Sequence, residues 1–251
     1  MTTQVGTSMR LKRVIDPDGV SLICALDHGM TSPRFLEPLA DIAARTGEAV
    51  AGGANVIMMS KGMIRLAQPA FSPTTSLALL LSASANPAEP QPEVVQIAQV
   101  EEALRLGADA VVLFTALGGD AEPGMIRTLA GVGRECAALG MPLIAEAEFP
   151  TTYAAVEELS ERYGFEYLRR NVRLCAELGA DIVKTIVSSP EPASITTISS
   201  TSRARSTRLR RMVRTMPPTV AASSRVGRQT ETVSPSRSLA ARSLAGGSNW
   251  L

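Results

Sequence analysis

The chain contains very little lysine. Lys12, Lys61 and Lys184 are its only lysines, and arginine supplies the rest of its 25 basic residues. Because this chain uses arginine for its positive charge, a lysine inside an apolar segment is not expected to be an ordinary surface residue. Lys184 is such a residue, and its position needs a chemical explanation.

Cysteine is also scarce. Cys24, Cys136 and Cys175 are odd in number, lie on or beside apolar segments and lack the spacing of metal ligands. This excludes a disulfide scaffold and predicts reduced core thiols in a cytoplasmic protein. No apolar run is long enough to cross a bilayer and residues 1–13 do not resemble a signal peptide, so we expect no membrane partner.

Lys184 interrupts a segment that is otherwise apolar, Ile182-Val183-Lys184-Thr185-Ile186-Val187. A continuous β-branched run of this kind is typical of a parallel strand covered on both faces. Burial of an ammonium disfavours its charged form. The pattern therefore predicts a neutral, nucleophilic amine. The alternative is a lysine at the strand end whose amine reaches water.

The segment before Lys184 belongs to a repeated pattern in which an apolar helix ends in glycine, takes a small or polar turn residue and enters a buried strand. Glycine is favoured there because it adopts left-handed backbone angles without a Cβ penalty. The pattern predicts strands at 22–26, 56–60, 77–82, 110–115, 143–148 and 182–187. It predicts helices at 38–51, 93–106, 123–139 and 153–178, the last interrupted or bent at Gly164.

Six strands with intervening helices favour a (β/α)₈ TIM barrel truncated after strand six over an open doubly wound sheet. No G-x-G-x-x-G follows the first strand, which argues against a dinucleotide-binding domain. The predicted organisation is an incomplete barrel at 1–187 and a separate C-terminal segment at 188–251.

The composition changes at Ser188. The segment 188–251 contains ten arginines, two glutamates and neither lysine nor aspartate, set among serine, threonine and proline. Such a composition predicts a largely disordered basic tail, because little apolar surface is available to offset the entropy of ordering. Its arginines, mainly at 203–228, leave a non-enzymatic function open, the binding of nucleic acid or an acidic partner.

Specific motifs resemble the archaeal-type class I fructose-bisphosphate aldolase family. They are Asp27-His28-Gly29 after the first strand, Ser60-Lys61-Gly62 after the second, Pro150 after the fifth and Asp181-Ile182-Val183-Lys184 on the sixth. The resemblance covers about residues 8–188 and extends to relatives that make 2-amino-3,7-dideoxy-D-threo-hept-6-ulosonate.

The resemblance implies a lyase that forms a Schiff base between Lys184 and a phosphorylated ketose or related keto substrate, with no cofactor and no metal. Asp27 would assist proton transfer and orient substrate hydroxyls, although it could instead cap the next turn. His28 and Lys61 would contact substrate. Alternatively, Lys61 could keep Lys184 neutral by charge repulsion, or be an exposed loop cation. A complete barrel of this family would be a homo-oligomer.

Two features depart from the family pattern. Phe149 stands where the family commonly has a proton-donating tyrosine, so Glu148 or Glu146 becomes the candidate acid/base, with solvated outward glutamates as the alternative. Nothing after Ser188 supplies the glycine-rich phosphate loops that follow strands seven and eight of such barrels. The abrupt change in composition suggests translation in a shifted reading frame.

Overall fold

The computed structural model describes residues 2–30, 33–85, 93–118, 120–148, 156–185 and 196–199. Its helices are α1 (Thr2–Val14), α2 (Ile42–Ala51), α3 (Ile64–Ala67), α4 (Val100–Arg105), α5 (Glu122–Leu139) and α6 (Val156–Glu177). Its strands are β1 (Ile23–Ala25), β2 (Val56–Met59), β3 (Ser76–Leu80), β4 (Ser82–Ala85), β5 (Glu93–Gln96), β6 (Ala110–Ala116), β7 (Leu143–Glu148), β8 (Ile182–Thr185) and β9 (Thr196–Ser199).

One sheet organises the chain, in the order β1-β2-β3-β6-β7-β8-β9. The first six of these strands are parallel and each pairs with the next along the sheet. Parallel neighbours joined through helices are the repeating unit of a TIM barrel. The predicted barrel-type α/β fold with six parallel strands is confirmed.

The two faces of the sheet bury different residues. Alternate residues of the parallel strands form one apolar cluster on the inner face: Val56, Met58, Ala78, Leu80, Ala110, Val112, Ile144 and Ile182. The intervening residues, such as Ile57, Leu79, Leu113 and Val183, pack under the helices. Because successive side chains of a strand point to opposite faces, this alternation also decides which polar residues face the interior.

Helix α1 closes the inner face at the N-terminal end of the strands. Val14 is fully buried in the inner cluster. The carbonyl of Val14 accepts hydrogen bonds from Ser21 Oγ and Asn55 Nδ2, and the carbonyl of Arg13 accepts one from Ser76 Oγ. These side chains satisfy carbonyls that a helix end leaves without partners. The opposite end of the inner face carries the polar residues.

The glycine turns follow the repeated pattern in the sequence. Gly53, Gly107 and Gly179 precede β2, β6 and β8 with φ angles of 92°, 77° and 103°. These left-handed conformations are the reason that glycine recurs at these positions.

Three sequence predictions of secondary structure are wrong. Residues 93–96 form β5, which pairs antiparallel with β4, and helix α4 begins only at Val100. Val94 and Val95 favour a strand over the first turn of a helix. The helix before β8 is not interrupted at Gly164, although an interruption there is one of the two alternatives predicted. A further strand, β9, pairs antiparallel with β8, within a segment for which the sequence predicts none.

Two features account for β9. Thr196-Thr197-Ile198 is β-branched, and β8 would otherwise present an unpaired edge. No helix within the described residues combines the length and apolar character needed to cross a bilayer.

Candidate active site

The polar residues of the inner face gather at the C-terminal ends of β1, β7 and β8. Glu146 and Glu148 share the inner face of β7 with buried Ile144, and Lys184 shares that of β8 with Ile182. Asp27 lies two residues after Ala25, at the end of β1. In barrel enzymes, this end of the strands carries the chemistry. The structure therefore brings together four of the six residues that the sequence singled out.

Lys184 and Glu146 are direct neighbours across the β7–β8 pairing. Lys184 Nζ donates a hydrogen bond to Glu146 Oε1 at 2.5 Å. The two side chains are 19% and 7% exposed. A charged hydrogen bond this short and this shielded holds the amine in one place.

The charge of Lys184 differs from the sequence expectation. Burial lowers the pKa of Lys184, but the carboxylates of Glu146, Glu148 and Asp27 together raise it by more, so its net pKa is above the usual range. The prediction of a neutral resting amine considered burial alone and is wrong. Lys184 rests as an ammonium, and a base must remove its proton before it can act as a nucleophile.

Asp27 shows that the sheet curves strongly. In a flat sheet with strands about 4.8 Å apart, β1 and β8 would be separated by about 24 Å. Yet the pKa of Asp27 responds to groups on the distant strands. Burial raises this pKa most and the charge of Glu146 raises it next, while His28 and Lys184 lower it. Charges act on one another this way only at much shorter range. The first and sixth parallel strands thus bring their C-terminal ends to one site.

One oxygen of Asp27 accepts no hydrogen bond in the part of the chain that the structure describes. Its Oδ1 is buried without a hydrogen bond from any described residue, and His28 Nδ1 lies 3.8 Å away. A buried carboxylate oxygen without a donor is costly unless a bound molecule supplies one. A hydroxyl of a bound molecule would supply the missing donor.

Glu148 has the titration behaviour of a general acid and base. The pKa of Glu148 is raised to about 7. Burial is the largest cause and the charges of Glu146 and Asp27 add to it, while Lys184 lowers this pKa. Such a group is available in both protonation states near neutral pH.

The remaining two candidates lie outside this cluster of carboxylates and amine. Lys61 Nζ bonds Glu102 Oε1 at 3.0 Å, and its side chain is 44% exposed. The pKa of Lys184 is shifted by carboxylates and not by Lys61. The His28 ring packs at 5.1 Å from the Phe35 ring, beside Asp27. Phe149 and Pro150 lie outside the described residues.

Phe114 is a further residue beside the site that the sequence motifs do not single out. It pairs in register with Glu146 from β6, as Lys184 does from β8. Phe114 is half-buried, and its backbone N–H donates to Ser82 Oγ at 2.9 Å. The alternation of the predicted strand at 110–115 is the signal that could have found it, since it places Phe114 on the face of Ala110 and Val112.

Comparison with known proteins places the chain in a family. The family model for the DeoC/LacD family aldolases matches residues 21–232. A 2-amino-3,7-dideoxy-D-threo-hept-6-ulosonate synthase of Halobacterium salinarum is 33% identical over 186 residues, which are 74% of this chain and 67% of that protein. A 2-amino-4,5-dihydroxy-6-oxo-7-(phosphonooxy)heptanoate synthase of Streptomyces griseus is 31% identical over 71% of this chain and 64% of that protein.

Solved structures agree with these relatives. A Schiff base-forming fructose-1,6-bisphosphate aldolase and an archaeal fructose-1,6-bisphosphate aldolase each superpose with a TM-score of 0.57 and 25% identity, over 69% of this chain and 68% of theirs. The chain thus spans about two thirds of the length of the proteins it matches. With an aldolase model matching most of its length and a relative one third identical, the chain belongs to the DeoC/LacD family of aldolases.

Proposed function

We propose that this chain is a Schiff base-forming lyase that cleaves or forms a C–C bond in a phosphorylated ketose or a related keto compound. The observation that carries the proposal is the contact between Lys184 and Glu146 at the C-terminal end of the strands, beside Glu148 and an Asp27 oxygen that accepts no hydrogen bond from the described residues. It supplies a nucleophile, a base next to it, a second acid/base and a free acceptor.

The names of the relatives support this substrate class. The Streptomyces product carries a ketone at carbon 6 and a phosphate on carbon 7. Fructose 1,6-bisphosphate, the substrate of the structural relatives, likewise has its ketone beside a phosphorylated terminal carbon. The halobacterial product has a ketone at carbon 6 and no oxygen on carbon 7. A ketone at the penultimate carbon is common to all three, and it is the group that a lysine amine attacks.

Imine formation begins with the ion pair. Glu146 takes a proton from the Lys184 ammonium, and the neutral amine attacks the ketone carbon. The carbonyl oxygen then gains the proton that the attacking nitrogen loses, which gives a neutral carbinolamine. Glu148 then protonates the departing hydroxyl, and water leaves as the C=N bond forms. A pKa of about 7 suits Glu148 to donate here and to recover its proton later.

In the cleavage direction, a base removes the proton from the hydroxyl two carbons from the imine. The C–C bond breaks, an aldehyde leaves, and the electron pair moves into the protonated imine to give an enamine. Glu148, ionised after the first step, accepts that proton, and Asp27 Oδ1 orients the hydroxyl. Protonation of the enamine and addition of water release the ketone and return Lys184.

We place this reaction in the cytoplasm, where the three cysteines, all free in the structure, would stay reduced. The partner we expect is a small phosphorylated sugar or keto compound.

Borohydride trapping tests the proposal. The full chain is mixed with fructose 1,6-bisphosphate, dihydroxyacetone phosphate or an unphosphorylated ketone, reduced, digested and mapped by mass spectrometry. We expect a ketone adduct on Lys184, stronger for the phosphorylated compounds. Lys184→Met should lose the adduct, and Lys12→Gln should keep it. Labelling of Lys12 or Lys61 with Lys184 unmodified would overturn the assignment.

A further inference from the structure

Two buried threonine hydroxyls hold the strand that carries the candidate acids. Thr115 Oγ1 donates to the Glu146 carbonyl at 2.5 Å, and Thr185 Oγ1 donates to the Ala147 carbonyl at 3.0 Å. Thr115 is fully buried and Thr185 is 4% exposed. Strand β7 is thus held at two successive carbonyls, from β6 on one side and from β8 on the other.

These threonines adjoin the residues that flank Glu146. Thr115 follows Phe114, and Thr185 follows Lys184, and both of these preceding residues pair in register with Glu146. Strand alternation puts the two hydroxyls on the helix-covered face while Glu146 and Lys184 face the interior. The hydroxyls therefore act on the backbone of β7 and do not reach the substrate.

Helix α6 extends this connection. Cys175 Sγ lies 3.7 Å from Thr115 Oγ1. Burial raises the pKa of the Cys175 thiol, so it remains protonated at neutral pH. Since the Thr115 hydroxyl donates its proton to Glu146, the thiol is the donor to Thr115. Hydrogen bonds aligned in one direction strengthen one another. This series of hydrogen bonds runs from Cys175 on α6 through Thr115 on β6 to the backbone of Glu146.

We propose that Thr115 and Thr185 are positioning residues that fix β7 at the register and depth where the Glu146 carboxylate meets the Lys184 ammonium, with α6 contributing through Cys175. The catalytic meaning of this arrangement rests on the proposed aldolase function, but the effect on Lys184 is measurable without any substrate.

Loss of a hydroxyl should move Glu146 away from Lys184. Glu146, Glu148 and Asp27 are the groups that raise the pKa of Lys184, and His28 is the titratable group that faces Asp27. A weaker contact with Glu146 should lower the pKa of Lys184 by about 0.5 to 1 unit. Imine formation should slow by about tenfold at pH 7, because the base is displaced.

The experiment compares Thr115→Val and Thr185→Val, which keep shape and lose the hydroxyl, with Thr115→Ser, which keeps it. Thr46→Val is the matched control, because Thr46 is equally buried and bonds the Ile42 carbonyl at 2.8 Å within α2. Competitive acetylation of the full chain from pH 7 to 11, read by mass spectrometry with Lys12 as reference, gives the acetylation rate of Lys184, which rises at each pH as the pKa of Lys184 falls. Trapping rates with dihydroxyacetone phosphate give the catalytic effect.

We expect both valine variants to raise the acetylation rate of Lys184 and to lower the trapping rate, while Thr115→Ser and Thr46→Val match the unmodified chain. The proposal is overturned if the valine variants titrate like Thr46→Val, or if Thr115→Ser shifts as far as Thr115→Val. If one valine variant does not fold, the other and Thr115→Ser still decide. Faster acetylation of Lys184 in the valine variants of a chain that traps no ketone would refute the aldolase proposal and leave the positioning of Glu146 intact.

Discussion

At the residue scale, the charge of Lys184 is decided by its neighbours more than by its burial. Three carboxylates within electrostatic range outweigh the desolvation of the amine. Burial, and then the charge of Glu146, raises the pKa of Asp27 and that of Glu148, while the ammonium of Lys184 lowers both. Lys184, Glu146, Glu148 and Asp27 therefore form one coupled proton reservoir, and removing one member should shift the others.

Replacing Glu146 tests this coupling. Glu146→Gln removes the carboxylate that bonds Lys184, so the pKa of Lys184 should fall and its acetylation at pH 8 should increase. The pKa of Glu148 should fall as well, because the Glu146 charge raises it. Mass spectrometry of the Lys184 peptide, with Lys12 as reference, is the measurement. Unchanged acetylation would show that Glu146 does not control the amine.

Glu148 should make stability depend on pH. Its folded pKa of about 7 lies above the unfolded value of 4.5, so the folded state binds the proton more tightly. This contribution to stability is complete below pH 4.5 and is lost as the pH rises to 7, a change of about 3 kcal/mol. Glu148→Gln should therefore gain stability relative to the unmodified chain as the pH rises.

Urea unfolding of both proteins at pH 5 and pH 8 measures that difference. A stability difference that does not grow between the two pH values would contradict a raised pKa for Glu148.

At the scale of elements, α5 packs closely on the turn that leads into β8. A Cβ on Gly133 would lie 2.4 Å from the backbone oxygen of Leu178, whereas one on Gly131, in the same helix, would meet nothing within 4 Å. Gly133→Ala should destabilise the chain by about 1 to 3 kcal/mol, because backbone must move. Gly131→Ala should stabilise it by about 0.5 to 1 kcal/mol through helix propensity.

Thermal unfolding of the two variants checks this contrast. Equal effects of the two substitutions would mean that α5 and the turn before β8 are not in close contact.

The elements that sequence predicted best are those whose signal is local. The glycine turns before β2, β6 and β8 and the alternation of apolar residues between the two faces follow from backbone conformation and burial, which short segments encode. The β4–β5 hairpin was missed because Glu93-Val94-Val95-Gln96 adjoins a true helix, and its pairing with Ser82–Ala85 depends on a partner across the 86–92 segment.

At the scale of the whole molecule, the site depends on contacts between distant segments. Sequence placed Asp27, Glu146, Glu148 and Lys184 at strand ends but did not show that Glu146 bonds Lys184. That contact depends on register and curvature, which bring the ends of β1, β7 and β8 together. The charge of Lys184 was misjudged for the same reason, since it follows from carboxylates on other strands.

From its composition, we predict that the segment 188–251, apart from β9, is not a packed domain. Brief digestion of the full chain with thermolysin, whose sites do not depend on the ten arginines of this segment, should cut it before any part of 33–85 or 93–118. Those ranges carry the buried strands β2, β3 and β6, which are protected because cleavage there requires opening of the core.

The family match reaching residue 232 supports the rival expectation, that the segment folds onto the sheet. Protection of 200–232 at times when β2 and β3 are already cut would establish that rival and refute the prediction. If residues after β9 are lost first, acetylation of Lys184 in the remaining chain should match that of the intact chain, because β9 still pairs with β8 and the carboxylates that raise the pKa of Lys184 lie between Asp27 and Glu148.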